Sequence, residues 1–259
     1  MREIIFTIIL GIIQGLTEFL PVSSSGHLTL FAEIFGITEN NLFTAVALHF
    51  GTLMAVVVFY FKDLIGLFKR ENHSKLWHLI LATLPAGLFM LVINNAVENM
   101  FNSSKFVSFG FLLTALILLI TDYVGKKIRE RKAITWKSAL IMGVSQAFAI
   151  FPGISRSGST ISGGLVLASG ERKEVANFSF LMSVPIILGS TLFELFSVEI
   201  TSVNWIATLL GVFASFITGY LAIRFMLKII GKCNFKWFSL YLFILFTITF
   251  INGFIAPIW

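Results

Sequence analysis

The sequence predicts an all-α integral membrane protein, with six transmembrane helices and two re-entrant helix-loop-helix hairpins arranged as an inverted-topology repeat. Three observations carry this reading. Of 259 residues, 57% are hydrophobic and only 12% charged, and the mean hydropathy is +0.92, far above that of a water-soluble domain. Apolar runs recur along the whole chain and are not confined to one anchor. Two of these runs are broken by Pro-, Gly- and Ser-rich segments that lie a constant 132 residues apart.

Six stretches are long and apolar enough to cross a hydrocarbon core about 30 Å thick. They are 42–61, 76–93, 106–121, 175–196, 205–223 and 237–255. The runs 4–20 and 138–151 are different. The first meets Pro21-Val22-Ser23-Ser24-Ser25-Gly26-His27, the second Pro152-Gly153-Ile154-Ser155-Arg156-Ser157-Gly158, and each resumes for only about ten residues. Irregular backbone at membrane depth is tolerated only where protein buries it or it lines a cavity, so both read as re-entrant hairpins.

An offset of 132 matches Gly11 to Gly143, Gln14 to Gln146, Phe19 to Phe151, Ser23 to Ser155, Ser25 to Ser157 and Gly26 to Gly158. Ungapped identity of this kind argues for duplication. The expected organisation is a single membrane domain over 1–259, with a first repeat over 1–122 and a second over 133–259. Each repeat holds one hairpin and three spans, and because three is odd, the second enters the membrane inverted.

That topology puts the loops 62–75, 123–137, 170–174 and 224–236 on one side, and both termini with 94–105 and 197–204 on the other. Sixteen of the nineteen Lys and Arg residues fall on the first side, including Arg129 and Arg131; the second holds Arg2 and Lys105, and Arg156 lies in a hairpin. The positive-inside rule makes the first side cytoplasmic and both termini extracytoplasmic. Trp77, Trp136, Trp205, Trp237 and Trp259 all fall at expected segment ends, where indole favours the interface. The net charge of +6 is therefore read as membrane topology and not as nucleic-acid binding. No small-x-small cleavage motif follows the first apolar run, so the N-terminus is expected to be retained. The lone Cys233 and the absence of HExxH spacing exclude an intramolecular disulfide and a standard zinc motif.

Glu18, His27 and Arg156 fall in the segments expected to dip towards the midplane, where an ionisable side chain is costly unless paired or hydrated. A buried Glu18–Arg156 pair that locks the hairpins together is the structural reading. Ser23-Ser24-Ser25-Gly26 and Ser155-Arg156-Ser157-Gly158 each precede a resuming helix, so free N–H groups and the positive dipole end form an anion site, to which Arg156 adds a fork matched to phosphate oxygens. N-capping and close packing is the competing account of these serines and glycines. His27, three residues after Ser24, is expected to reach that hydroxyl as its base. Gln14 and Glu18, one turn apart, offer hard oxygens to Mg2+ or Ca2+ bridging to phosphate, and Glu18 could instead orient His27. His49 reads first as a packing residue that could also line the cavity.

The run Gln14-Gly15-Leu16-Thr17-Glu18-Phe19-Leu20-Pro21-Val22-Ser23-Ser24-Ser25-Gly26-His27 resembles the first signature of the bacterial undecaprenyl-diphosphate phosphatase family of the bacitracin-resistance type. Pro152-Gly153-Ile154-Ser155-Arg156-Ser157-Gly158-Ser159-Thr160 resembles the second. Val46 to Thr52 and Phe178 to Pro185 add support, so the resemblance covers nearly the whole chain. It implies a metal-dependent enzyme of the bacterial plasma membrane that converts undecaprenyl diphosphate to the monophosphate and inorganic phosphate, recycling the cell-wall lipid carrier and conferring bacitracin resistance. Position by position, it implies Glu18 as the second acidic member of an E/Q-x-x-x-E element, Ser24 and His27 as candidate nucleophile and partner, and Arg156 as the phosphate-binding arginine. Ser23, Ser25, Gly26, Ser155, Ser157, Gly158 and Thr160 complete the expected phosphate cradle. Gln14 stands where some members have Glu. Which of Ser24 and His27 attacks phosphorus is open at this point. The expected partners are the polyprenyl diphosphate and membrane lipids, with a homodimer admissible. The alternative is a transporter or flippase moving an anionic lipid or solute past the same midplane site.

Overall fold

The computed structural model describes residues 1–36, 41–101, 104–128, 132–197, 203–232 and 234–255. Among them the chain is helical, apart from turns and one isolated bridge between Lys132 and Gly170. This is what lipid demands, because a spanning helix satisfies its own N–H and C=O groups. The helices are α1 (Arg2–Phe19), α2 (Ser24–Phe35), α3 (Asn41–Phe59), α4 (Phe61–Gly66), α5 (His73–Phe101), α6 (Ser104–Gly125), α7 (Trp136–Phe148), α8 (Arg156–Ser162), α9 (Arg172–Ser197), α10 (Trp205–Ile229) and α11 (Lys236–Phe254). A π-helical turn, Gly163–Leu167, extends α8.

Five helices, α5, α6, α9, α10 and α11, are long and apolar enough to cross a membrane. The apolar part of α3, Phe43–Phe59, is shorter. The expected span 42–61 stops early because the helix breaks at Tyr60 and restarts as α4; the Tyr60 hydroxyl, donating to Asn177 Oδ1 at 2.7 Å, ties that break to α9. The expected loop 94–105 needs correction as well, since α5 continues to Phe101 and α6 starts at Ser104. Nothing between Ile93 and Phe101 is Pro or Gly, so the polar Asn and Glu residues there extend the helix instead of ending it. Arg129, Arg131, Cys233, Trp259 and most of the loop 197–204 lie outside the described residues. Trp77, Trp136, Trp205 and Trp237 are all exposed and stand at helix starts.

Both proline-broken segments interrupt the helices as expected. α1 ends at Phe19 and α2 begins at Ser24; α7 ends at Phe148 and α8 begins at Arg156. Each outer arm is seated on a helix distant in sequence, α1 on α10 and α7 on α5. Each seam has a glycine at its closest approach. A Cβ on Gly11 would collide with the Gly211 carbonyl of α10, and one on Gly143, its counterpart at offset 132, with the Ala82 carbonyl of α5. Backbone therefore lies on backbone at both crossings, as small residues allow. Centrally, α3 packs on α9 and α10, and α6 packs on α11. Two hydroxyl bonds fix these contacts: Ser215 Oγ donates to the Leu48 carbonyl at 2.8 Å and Ser239 Oγ to the Ala115 carbonyl at 2.7 Å. Fully buried Phe19 and Phe180 meet edge to face at 5.5 Å beneath the first loop.

A methyl group at position 143 has no room at the α7–α5 crossing. Gly143→Ala is expected to lower the melting temperature in detergent by about 3–10 °C, the equivalent of roughly 1–3 kcal/mol of overpacking. Gly189→Ala, at an open helical position, is expected to leave it unchanged or raise it. Equal tolerance of both changes would show that the crossing is not in backbone contact.

Candidate functional site

The carboxylate of Glu18 is the node on which both proline-broken segments converge. α1 presents Gln14 and Glu18 on one face, and Gln14 Nε2 donates to Glu18 Oε2 at 3.0 Å. Ser24, the first residue of α2, donates its hydroxyl to the same oxygen at 2.6 Å. Arg156, the first residue of α8, donates Nη2 to Oε1 and forms a buried ion pair. His49 of α3 approaches from a third direction, with Nε2 at 3.8 Å from Oε2. Its Nδ1 donates to the Ala45 carbonyl at 2.8 Å, which turns Nε2 towards the site. Glu18 is thus held by a hydroxyl, an amide and a guanidinium, as a buried charge requires.

The first loop is built around Ser23, a non-glycine residue at φ 67. That conformation costs on the order of 1–3 kcal/mol and persists only where its surroundings over-determine it. Here they do. The Ser23 carbonyl accepts from the backbone N–H of His27 at 3.2 Å and from His27 Nδ1 at 2.7 Å, and its hydroxyl accepts from the Gly26 N–H at 3.3 Å. A carbonyl only accepts, so Nδ1 carries a proton, and Nε2 is hydrogen-bonded to the Tyr241 hydroxyl of α11 at 2.7 Å. The imidazole is enclosed between the Tyr241 ring, stacked at 5.7 Å, and the edge of Phe111 at 5.5 Å. The expected Ser24–His27 pair is therefore corrected. A spacing of three put both residues on one helix, but both imidazole nitrogens are engaged elsewhere and the Ser24 hydroxyl turns to Glu18.

The second loop repeats the cap and changes the rest. Ser155, counterpart of Ser23, accepts from the Gly158 N–H at 3.0 Å, as Ser23 does from Gly26. Its φ of −75 is ordinary; Gly153, at φ 80, makes the turn instead. Thr114 of α6 clamps that turn, donating to the Gly153 carbonyl at 3.3 Å and accepting from the Ser155 N–H at 3.0 Å. Ser157 Oγ donates to the Leu20 carbonyl at 2.8 Å, so the two loops touch directly. Thr160 points back into α8, donating to the Arg156 carbonyl at 2.9 Å and pairing with Ser179 at 2.6 Å. The Thr160 hydroxyl thus bonds within α8 and to α9.

Two buried atoms beside Glu18 have no hydrogen-bond partner: Arg156 Nη1 and Gln14 Oε1. A guanidinium nitrogen without an acceptor fits an anion, and an amide oxygen without a donor fits a cation or a donor group on the same ligand. No cluster of three or more His, Cys, Asp or Glu side chains suited to a metal occurs among the described residues. The donor set therefore fits a hard divalent cation only when phosphate oxygens share its coordination, through Gln14 Oε1 and the Glu18 carboxylate.

The structure brings Gln14, Glu18, Ser24 and Arg156 together, uses Ser23, Ser155 and Ser157 for loop shape and loop contact, and turns His27 away from Ser24. Sequence reasoning missed Tyr241 and Thr114. A tyrosine near the start of an apolar span was the available signal, since a phenol in lipid needs a partner.

Residues 7–248 match the family model described as bacitracin resistance protein BacA. The chain is 42% identical over 253 residues to an undecaprenyl-diphosphatase of Thermosipho africanus, covering 95% of this chain and 99% of the relative. It is 44% identical over 249 residues to one of Caldicellulosiruptor bescii, covering 92% and 93%. A third, from Halothermothrix orenii, is 39% identical over 247 residues, covering 93% and 95%.

Tyr241→Phe removes one hydroxyl and little volume. It is expected to keep the melting temperature of the parent and to slow phosphate release from a polyprenyl diphosphate about tenfold, the scale of one lost positioning hydrogen bond. Unaltered turnover would show that Ser23 alone is enough to place His27.

Proposed function

This chain belongs to the family of the bacitracin resistance protein BacA, and from that membership and the site geometry we propose that it is an integral-membrane lipid phosphatase. It hydrolyses undecaprenyl diphosphate to undecaprenyl phosphate and inorganic phosphate, recycling the cell-wall lipid carrier and conferring bacitracin resistance. The observation that carries the reading is the spare guanidinium nitrogen of Arg156, buried and unpartnered beside a carboxylate-bound serine.

Arg156 binds the terminal phosphate through Nη1 while Nη2 stays on Glu18. Glu18 Oε2 takes the Ser24 proton as Oγ attacks the terminal phosphorus; the bond from phosphorus to the bridging oxygen breaks and the lipid monophosphate leaves. Water then displaces Ser24 from phosphorus. The Glu18 proton returns to Oγ, the hydroxyl of that water departs in the inorganic phosphate, and its other proton passes to solvent. Ser24 is preferred to His27 as nucleophile because neither imidazole nitrogen is free. His27 holds the strained Ser23 and with it the start of α2. Gln14 Oε1 and Glu18 would hold Mg2+ or Ca2+ jointly with the diphosphate, and that ion supplies charge neutralisation on the leaving phosphate.

The proposal extends to topology: α3 is the sixth span, α1–α2 and α7–α8 are the re-entrant hairpins, and the halves form an inverted repeat. The exchange of partners between α1 on α10 and α7 on α5, with matching glycines at each seam, supports this. So do the matching N-caps at Ser23 and Ser155. The basic-residue distribution then places both termini outside the plasma membrane. The same architecture suits a carrier, which would need Arg156 but no nucleophile.

Pure protein in detergent is expected to release inorganic phosphate from a long-chain polyprenyl diphosphate and to stop when a chelator is added. Ser24→Ala is expected to remain folded and lose at least about a thousandfold in rate. Near-normal turnover in that variant would exclude Ser24 from the chemistry. Arg156→Lys keeps the charge but loses the planar fork, so kcat should fall steeply while KM changes little, because equatorial phosphoryl oxygens gain most from the guanidinium in the transition state. An unchanged kcat with a raised KM would favour the carrier.

A further inference from the structure

Away from the hairpins, a cavity of about 260 Å³ opens where α4, the 3₁₀ turn Arg70–Asn72 and the start of α5 meet. Lys62, Lys69 and Lys75 line it, with Asp63 the one acidic residue on its wall. None of these four makes an ion pair within 4 Å among the described residues. Its wall therefore carries three ammonium groups against one carboxylate, none of them ion-paired among the described residues. Its shape is fixed by the chain, since Asn72 Nδ2 donates to the Gly66 carbonyl at 2.9 Å across the turn. At about 30 Å³ per water, it has room for roughly nine waters, or for a phosphodiester with part of its hydration shell.

What surrounds the cavity narrows the ligand. Phe61, Ile65 and Phe68 are 56%, 53% and 77% exposed and recur at spacings of four and three, forming one apolar stripe on α4 and the turn after it. Trp77 is exposed just beyond. An exposed apolar stripe beside a lysine-lined hollow is the signature of a segment lying in the membrane interface, with acyl chains on one side and headgroups on the other. We propose that this cavity binds the anionic headgroup of an acidic phospholipid, whose acyl chains run along Phe61, Ile65 and Phe68. The three ammonium groups hold the phosphate, and the positive-inside distribution puts the site in the cytoplasmic leaflet. The site is independent of the phosphatase reading, because it shares no residue with the hairpins.

The test is native mass spectrometry of the purified full chain, titrated with phosphatidylglycerol or phosphatidylcholine, for the parent and for the triple variant Lys62→Gln, Lys69→Gln, Lys75→Gln. A lysine near an anionic lipid surface is worth about a factor of five, so the triple variant should bind phosphatidylglycerol at least about tenfold more weakly and phosphatidylcholine equally well. A second triple variant, Lys127→Gln, Lys228→Gln, Lys236→Gln, removes the same charge from outside the cavity and should keep the parent preference. Equal losses in both variants would show that a diffuse basic surface attracts the lipid and would overturn the site. Displacement of phosphatidylglycerol by millimolar inorganic phosphate would identify the ligand as a free anion and overturn the lipid assignment.

Discussion

Burying a carboxylate and a guanidinium at the point where two broken helices meet is the constraint around which the rest of this molecule is arranged. Taking either charge out of water alone would cost several kcal/mol, so each needs the other and each needs hydrogen bonds besides. Glu18 comes from the first half and Arg156 from the second. The pair can form only if both broken segments meet, which requires α1 and α7 to lie flush on their distant partners. The glycine seams permit that close approach. Ser157, bonded to the Leu20 carbonyl, then holds the second loop in register with the first, and Thr160, paired with Ser179, ties α8 to α9.

Much of this was legible in the sequence because the physics involved is local or periodic. Long apolar runs mark spans, Pro and Gly mark breaks, and an offset of 132 relates the two loops without any knowledge of their contacts. Gln14 and Glu18 at a spacing of four had to share a face. The spacing of Ser24 and His27 was equally visible, yet it misled. It fixes which helix the side chains share, not which partner outcompetes the other, and a carboxylate at 2.6 Å and a tyrosine from the far end of the chain prevailed. Tyr241 is separated from His27 by 214 positions, and no periodic pattern links residues across that distance. Helix ends were also hard to read, as the extension of α5 to Phe101 shows, since polar residues at a membrane surface are compatible with either loop or helix.

The two broken segments share a serine cap but differ in the side chains beside it. The hydroxyls of Ser23 and Ser155 cap α2 and α8 in the same way at different backbone angles; Glu18 and Ser24 flank the first cap, and Arg156 follows the second. Gln146, counterpart of Gln14, is buried with neither amide atom partnered, whereas Gln14 spends its nitrogen on Glu18.

The backbone of Ser23 has a consequence for how genetic data on this fold should be interpreted. Its left-handed conformation is held in part by the His27 ring, which binds the Ser23 carbonyl. Any allele that removes the imidazole also frees a neighbouring peptide to relax, and the hydroxyl one residue further along moves with it. Loss of function at position 27 is therefore what a hinge pin would give as readily as a nucleophile. A screen that ranks residues by inactivation alone would count a piece of loop architecture among the reacting groups.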